Sequence, residues 1–256
     1  MTAPTGTCLP PLSQAPVRPD LVIDWAIPAQ RPGLHGAVAR FFGPGQTKAE
    51  AVVQIFGFVV CAALLTGYLA MSLPSVAPAL AWWQVLLVAV VGYDLIGGVL
   101  VNATGAAKRW YHRPGTRRGR LIFVAAHLVH LVVIAGLVLP SDWAWLAVNA
   151  GILLSGAAAI ESVSLAIRRP LAAGWVVMAA LLNLILVPLP AALAWFAPFF
   201  FLKLLVFHQV PEAPLASRVL PESHAELPHA SAGSVAERHR RRHLADHAPP
   251  LVARIP

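Results

Sequence analysis

From residue 51 to residue 208 the chain alternates long apolar runs with short polar or basic connections. The runs lie at about 51–73, 82–105, 121–139, 143–165, 171–188 and 189–208. Each is near the ~20 residues that a helix rising 1.5 Å per residue needs to cross a ~30 Å hydrocarbon core. None shows the period-two alternation of a barrel strand, and lipid-exposed backbone must satisfy its own hydrogen bonds, so the pattern predicts helices. The last two runs are separated only by Val187-Pro188-Leu189-Pro190, which makes that boundary the narrowest. The expected fold is all-α: a polytopic integral membrane domain of six transmembrane helices over 48–208.

The flanks differ in character. Residues 1–47 form a polar, Pro-rich arm with no basic segment leading into an apolar stretch and small-residue cleavage site, so no cleaved signal is expected. Two pieces of this arm, Leu21 to Trp25 and Leu34 to Phe42, carry enough apolar side chains to lie on a membrane surface, or else belong to an unstructured arm. Residues 209–256 read as a basic, His-rich cytoplasmic tail without fixed structure, containing the run Arg238-His239-Arg240-Arg241-Arg242-His243.

Composition agrees with the runs. Hydrophobic residues make up 58% of the chain and charged residues 12%, with a mean hydropathy of +0.69. A soluble domain carries about twice that charged fraction, so a soluble enzyme and a disordered chain are both excluded. The net charge of +8 points to a membrane surface rather than to nucleic acid, because the basic residues sit between the runs. Six of them, Lys108, Arg109, Arg113, Arg117, Arg118 and Arg120, fall in the second connection. Arg168 and Arg169 fall in the fourth, whereas the first, third and fifth have none. This alternation predicts cytoplasmic N and C termini in the cell membrane. With only Cys8 and Cys61, a disulfide framework or thiolate zinc site is not expected.

Ionisable groups inside a membrane are costly, so each is a candidate for function. Asp94 lies mid-span in the second run, His127 and His130 in the third, Glu161 near the inner end of the fourth, and Lys203 and His208 on the inner part of the sixth. Measured from Leu121, His127 lies about 9 Å and His130 about 13 Å deep. These groups therefore gather at or below the midplane on the cytoplasmic side, while the outer half has amides such as Asn149 and Asn183. Histidines three apart share a helix face. They read as ligands of iron, zinc or another metal completed by His112 or His208, as axial ligands of haem, or as a core pair bonded to neighbouring helices. Asp94 and Glu161 are the candidate catalytic carboxylates. Lys203 either snorkels to the interface, the reading favoured here, or pairs with one of them, and Asp94 is expected to find an interhelical partner among His127, His130, Glu161 and Lys203. If the second helix continues unbroken, Asp94, Val101 and Gly105 share a stripe with Gly98 slightly off it. Gly151, Ser155 and Ala159 form a small-residue ridge suited to packing. In the basic connection, Lys108, Arg109, Trp110, Tyr111 and Arg113 suit anionic inner-leaflet headgroups.

The stretches Asp94 to Thr104, Lys108 to Arg113 and Phe123 to His130 resemble a family of uncharacterised bacterial polytopic membrane proteins. That resemblance implies a bacterial membrane protein and carries no catalytic residue with it. Three functions stay open: a metal- or haem-dependent membrane oxidoreductase acting on a lipid or quinone-like substrate, a small permease or proton-coupled transporter, and a non-catalytic membrane scaffold. The cytoplasmic bias of the polar groups favours the first, because a transporter usually needs a polar route reaching both sides.

Overall fold

The computed structural model describes residues 23–72, 80–139 and 141–215. Two compact units are distinguished, Met1–Ser217 and Arg218–Pro256, and all described residues belong to the first. The His/Arg run of the tail, with Leu21 and Val22 of the arm, lies outside the described residues.

Among the described residues, six helices are long and apolar enough to cross a membrane: Lys48–Ser72, Trp82–Asn102, Arg117–Val138, Trp143–Ser162, Leu165–Ile185 and Ala191–His208. Among the described residues the only β pairing is an isolated bridge between Ile23 and Leu215. The outward faces carry large exposed side chains such as Val52, Phe56, Leu64, Leu181 and Ile185. A water-soluble monomer does not tolerate so broad an apolar surface. The fold is that of an all-helical, multi-pass membrane protein.

Local chemistry explains where the helices begin and break. Helix α1 (Gly33–Phe42) lies within the arm, so this surface piece is ordered, and it packs on a short helix, α4 (Gly105–Tyr111). Gly43, with φ +92°, lets the chain leave α1 against the α4 backbone, where a Cβ would lie 2.3 Å from the Ala107 nitrogen. Helix α2 (Lys48–Ser72) opens with a capping box: the Thr47 N–H donates to Glu50 Oε2 at 2.9 Å, and the Glu50 N–H donates to Thr47 Oγ1 at 3.1 Å. Helix α3 (Trp82–Asn102) does not run on to Gly105. Thr104 accepts from the Ala107 N–H and caps a separate helix, α4 (Gly105–Tyr111), so the expected unbroken stripe from Asp94 to Gly105 does not exist.

The third span is irregular. Helix α5 (Arg117–Ala126) tightens at His127, where successive i→i−3 bonds join His127 to Val124 and His130 to His127. It then continues as α6 (Leu128–Val133) and a π-helical turn, Ile134–Val138. Helix α7 (Trp143–Ser162) is capped by Asp142, whose carboxylate accepts from the Trp145 N–H. The packed face of α7 runs through Asn149, Ile152, Leu153, Gly156 and Ile160. The Gly151, Ser155 and Ala159 ridge instead faces outward, which corrects the expectation that it packs. Gly156 is the position where a neighbour comes close, because a Cβ there would sit 2.5 Å from Trp175 Nε1. Helix α8 (Leu165–Ile185) follows α7.

The sixth span forms the centre of the bundle. It comprises a 3-10 turn (Ala191–Leu193), α9 (Phe196–Phe201) and a π-helical end, Leu202–His208. Phe196, Phe200, Phe201, Leu204 and Leu205 are fully buried against α3, α7 and α8. Away from the basic connection, Trp145, Asn149 and Asn183 form a closed hydrogen-bonded set. Asn183 Nδ2 donates to Asn149 Oδ1 at 2.8 Å, and Trp145 Nε1 donates to Asn183 Oδ1 at 3.2 Å.

Candidate functional site

Asp94 on α3 is the junction of the site. Its Oδ2 accepts from Lys203 Nζ at 2.5 Å and from His130 Nε2 at 2.9 Å. Lys203 Nζ also donates to the Asp94 backbone carbonyl at 3.3 Å. The Lys203 side chain is 3% exposed, whereas that of Asp94 is 44% exposed. Lys203 therefore turns inward and pairs, contrary to the expected snorkelling. Two local features permit this. The widened π turn starts at Leu202 and re-aims the following residue. Gly98, one turn along α3, leaves a groove in which the lysine chain lies, since a Cβ there would sit 2.2 Å from Lys203 Cε.

The two span histidines follow from the tightened turn. Side chains three apart eclipse in a helix with three residues per turn. The His127 and His130 rings accordingly stack, with centroids 4.9 Å apart and planes 7° apart. His127 Nδ1 lies 2.7 Å from the Phe123 carbonyl. A carbonyl only accepts, so Nδ1 carries the proton and Nε2 presents a lone pair. Phe123 continues the ring column, with His127 at 4.4 Å on one side and His208 at 4.1 Å on the other.

Asp94, His127 and Lys203 form the polar part of a cavity of about 480 Å³ between α2, α3 and α5. Phe41 and Phe42 of α1, Phe58, Tyr93, Tyr111 and Phe123 supply aromatic wall, and Gln54 and Asn102 add amides. A second cavity of about 400 Å³ lies between α2, α3 and the sixth span. Its lining of Leu64, Leu65, Ile96, Val99, Phe199 and their neighbours contains no ionisable cluster, so the chemistry belongs to the first.

Among the described residues, Asp94, His127 and His130 form one group able to offer metal ligands, with one donor atom of each within 4.8 Å of the others. The donors suit iron, zinc or manganese. As arranged, however, Asp94 Oδ2 already holds the Lys203 ammonium, and the His130 N–H points at the same oxygen. A metal would have to displace Lys203 and turn the His130 ring.

The other residues expected at this pocket lie elsewhere. Glu161 is not beside Asp94. Its carboxylate is 1% exposed and accepts a two-point contact from Arg120, with Nε to Oε1 at 2.8 Å and Nη2 to Oε2 at 3.1 Å. Arg168 Nη1 lies at 3.3 Å and Arg117 at 3.8 Å. Such a carboxylate ties the start of α5 to the junction of α7 and α8, and it is not free for catalysis. His112 donates from Nε2 to the His208 backbone carbonyl at 3.0 Å. Burial, with the Arg120 and Lys108 charges, holds its pKa down to about 3. The His208 ring is buried on Phe123 and Tyr111, with neither nitrogen bonded to another described residue. Neither histidine belongs to the group around Asp94.

The basic connection is also used internally. Lys108 is buried and donates to the Phe207 and Val210 carbonyls at 2.6 and 2.8 Å, capping the end of the sixth span. Burial lowers its pKa to about 8, opposed by Glu212. Arg109 is buried as well and donates to the Gly45 carbonyl at 3.1 Å. These two cannot serve headgroups as expected, because their charges are turned into the protein. Tyr111 donates to the Phe41 carbonyl at 3.1 Å, holding α1 over the cavity. Arg113 lies 3.7 Å over the Trp110 ring, and this pair remains on the half-buried surface.

Arg120 as the partner of Glu161 is what sequence reasoning missed, because it reads as one of six basic residues in a connection. Lys203 and His130 are among the partners expected for Asp94, but a lone lysine in an apolar span does not show that it pairs rather than snorkels, and Gly98 reads only as a place where a neighbour can come close. No protein-family model, curated protein or solved structure matches the chain.

Proposed function

We propose that this is a multi-pass protein of the bacterial cell membrane, with both termini cytoplasmic. In this reading its aromatic cavity takes up one amphiphilic molecule, lipid- or quinone-like, and its Asp94–His127 wall exchanges a proton with the polar end. The observation that carries it is the polar wall: an ion-paired carboxylate and an imidazole lone pair facing a mainly aromatic space, with the Gln54 and Asn102 amides the other polar groups of its lining. Cavities of several hundred Å³ with few convergent polar groups are the usual form of small-molecule sites. A polar route across the bilayer is less well supported, because Asn149 and Asn183 bond to each other and to Trp145 on other helices.

The test is mass spectrometry of the organic extract from detergent-purified protein. About one equivalent of an amphiphile is expected in the wild type, and much less in Gly97→Leu, which projects a side chain into the cavity. Equal extracts from the two proteins would sink the reading.

The closeness of Asp94, His127 and His130 supports a second reading, in which these three hold a metal once Lys203 swings away. Elemental analysis then finds one equivalent of metal in the wild type that is lost in His127→Ala. Identical metal content in both would remove it.

A further inference from the structure

We infer that the cavity selects a neutral hydroxyl donor, the head of a hydroquinone or a lipid alcohol, over a carbonyl or an ammonium. The inference rests on the amphiphile-binding reading above and names its ligand by the hydrogen bonds the wall has left to make.

The donors nearest Asp94 are engaged or buried. Lys203 gives two of its three N–H groups to Asp94 Oδ2 and the Asp94 carbonyl, and with its side chain 3% exposed the third is packed away from a ligand. The His130 Nε2–H points at the same Oδ2. Thr66 donates to the Ala62 carbonyl, so the Tyr93 hydroxyl, 2.7 Å from Thr66 Oγ1, uses its proton there. Tyr111 gives its proton to the Phe41 carbonyl.

Two acceptors remain. Asp94 Oδ1 has no partner among the described residues, on a side chain 44% exposed. His127 Nε2 has none either, because the Phe123 carbonyl fixes the proton on Nδ1. Gln54 and Asn102 also reach the cavity. Asn102 is eight residues beyond Asp94, about 12 Å along the helix, and Gln54 lies on α2 between Glu50, which meets Ala106, and Gly57, which meets Leu100, so both amides address a different part of a ligand.

A wall of two acceptors bonds hydroxyl hydrogens and leaves a carbonyl oxygen facing lone pairs. The ammonium alternative fails on charge. Lys203 already neutralises Asp94, so a second cation would enter an apolar space beside the first with no anion left over. A hydroxyl needs no counter-charge.

Quinone and hydroquinone of one compound make the sharpest comparison, since they share shape and reverse the hydrogen-bond sense. Full-length protein in detergent is titrated calorimetrically with decylhydroquinone, decylbenzoquinone, 1-dodecanol and dodecyltrimethylammonium. Gly97→Leu serves as the baseline for partition into the micelle. The hydroquinone is expected to bind at least tenfold tighter than the quinone, with the ammonium weakest, and His127→Phe is expected to narrow that ratio. Dodecanol binding alongside the hydroquinone identifies a general hydroxyl site. Dodecanol at baseline identifies the aromatic diol as the source. Both results support the inference. Quinone binding as tight as hydroquinone, or an ammonium binding tightest, overturns it while leaving the amphiphile cavity intact. Probes that all match the Gly97→Leu baseline overturn the cavity reading itself.

Discussion

A single methyl group at position 98 tests the geometry of the site. In Gly98→Ala the new Cβ would lie 2.2 Å from Lys203 Cε, 2.7 Å from Cδ and 2.9 Å from Nζ. Carbon atoms pack at about 3.5–4 Å, so the lysine chain must move by more than an ångström. Its 2.5 Å contact with Asp94 then opens beyond hydrogen-bonding range. A hydrogen bond to a charged group contributes about 1.5–3 kcal/mol, and breaking a fully buried ion pair costs about 3–5 kcal/mol. Asp94 is open to the cavity, where water can replace part of what is lost, so the interaction lost is about 2–3 kcal/mol. Alanine returns up to about 1 kcal/mol of helix propensity, leaving a net destabilisation of about 1–2 kcal/mol. For a chain of this size that lowers the melting temperature by roughly 2–8 °C. The assay is thermal unfolding in detergent followed by fluorescence of the eight tryptophans. Two comparisons make the result specific. Gly97→Ala should be neutral or stabilising, because its nearest neighbour is Phe58 at an ordinary 3.6 Å. In a Lys203→Met background the flexible thioether can yield, so Gly98→Ala should lose most of its penalty, giving a coupling of about 2–3 kcal/mol. A Gly98→Ala protein as stable as Gly97→Ala, or a penalty unchanged without Lys203, would refute this account.

Glu161→Gln leaves the Arg120 and Arg168 charges buried without their carboxylate and should destabilise by about 3–5 kcal/mol, whereas Arg117→Gln, altering an exposed partner, should cost about 0–1 kcal/mol. The same unfolding assay reads both, and equal effects would deny Glu161 its role as a tie between helices. His112 has a folded pKa of about 3 against an ordinary 6.5, so the unfolded chain takes up its proton first as the pH falls. Its contribution is intact above pH 6.5 and is lost between 6.5 and about 3. The wild type should therefore lose more stability than His112→Gln across that window, and parallel pH curves would exclude the effect. For orientation, a cysteine at Ser141 in a chain with Cys8 and Cys61 changed to serine should react with an impermeant thiol reagent in intact cells, and one at Thr116 should not. The reverse labelling would invert the topology.

The spans were legible because membrane transfer is a local property: a run of apolar residues favours the bilayer whatever its neighbours are. The sequence runs and the observed spans accordingly match except at their ends, as where Thr104 caps a new helix after Asn102, while the breaks inside the third and sixth spans leave no mark on the apolar runs. The value of Asp94, His127 and His130 was legible for the same reason, since a polar group in an apolar run stands out alone. Partnership was not. Lys203 meets Asp94 across 109 residues because a π turn re-aims it and Gly98 makes room, and neither event leaves a periodic trace. Glu161 and Asp94 looked alike in sequence. One sits against Arg120 and the other opens into a cavity because different helices face them. Lys108 and Arg109 read as surface charge, yet both turn inward to bond backbone carbonyls at Phe207, Val210 and Gly45. Hydrophobicity decides which segments enter a membrane. Which polar atoms then meet depends on how the helices rotate and break, and only the packed bundle sets that.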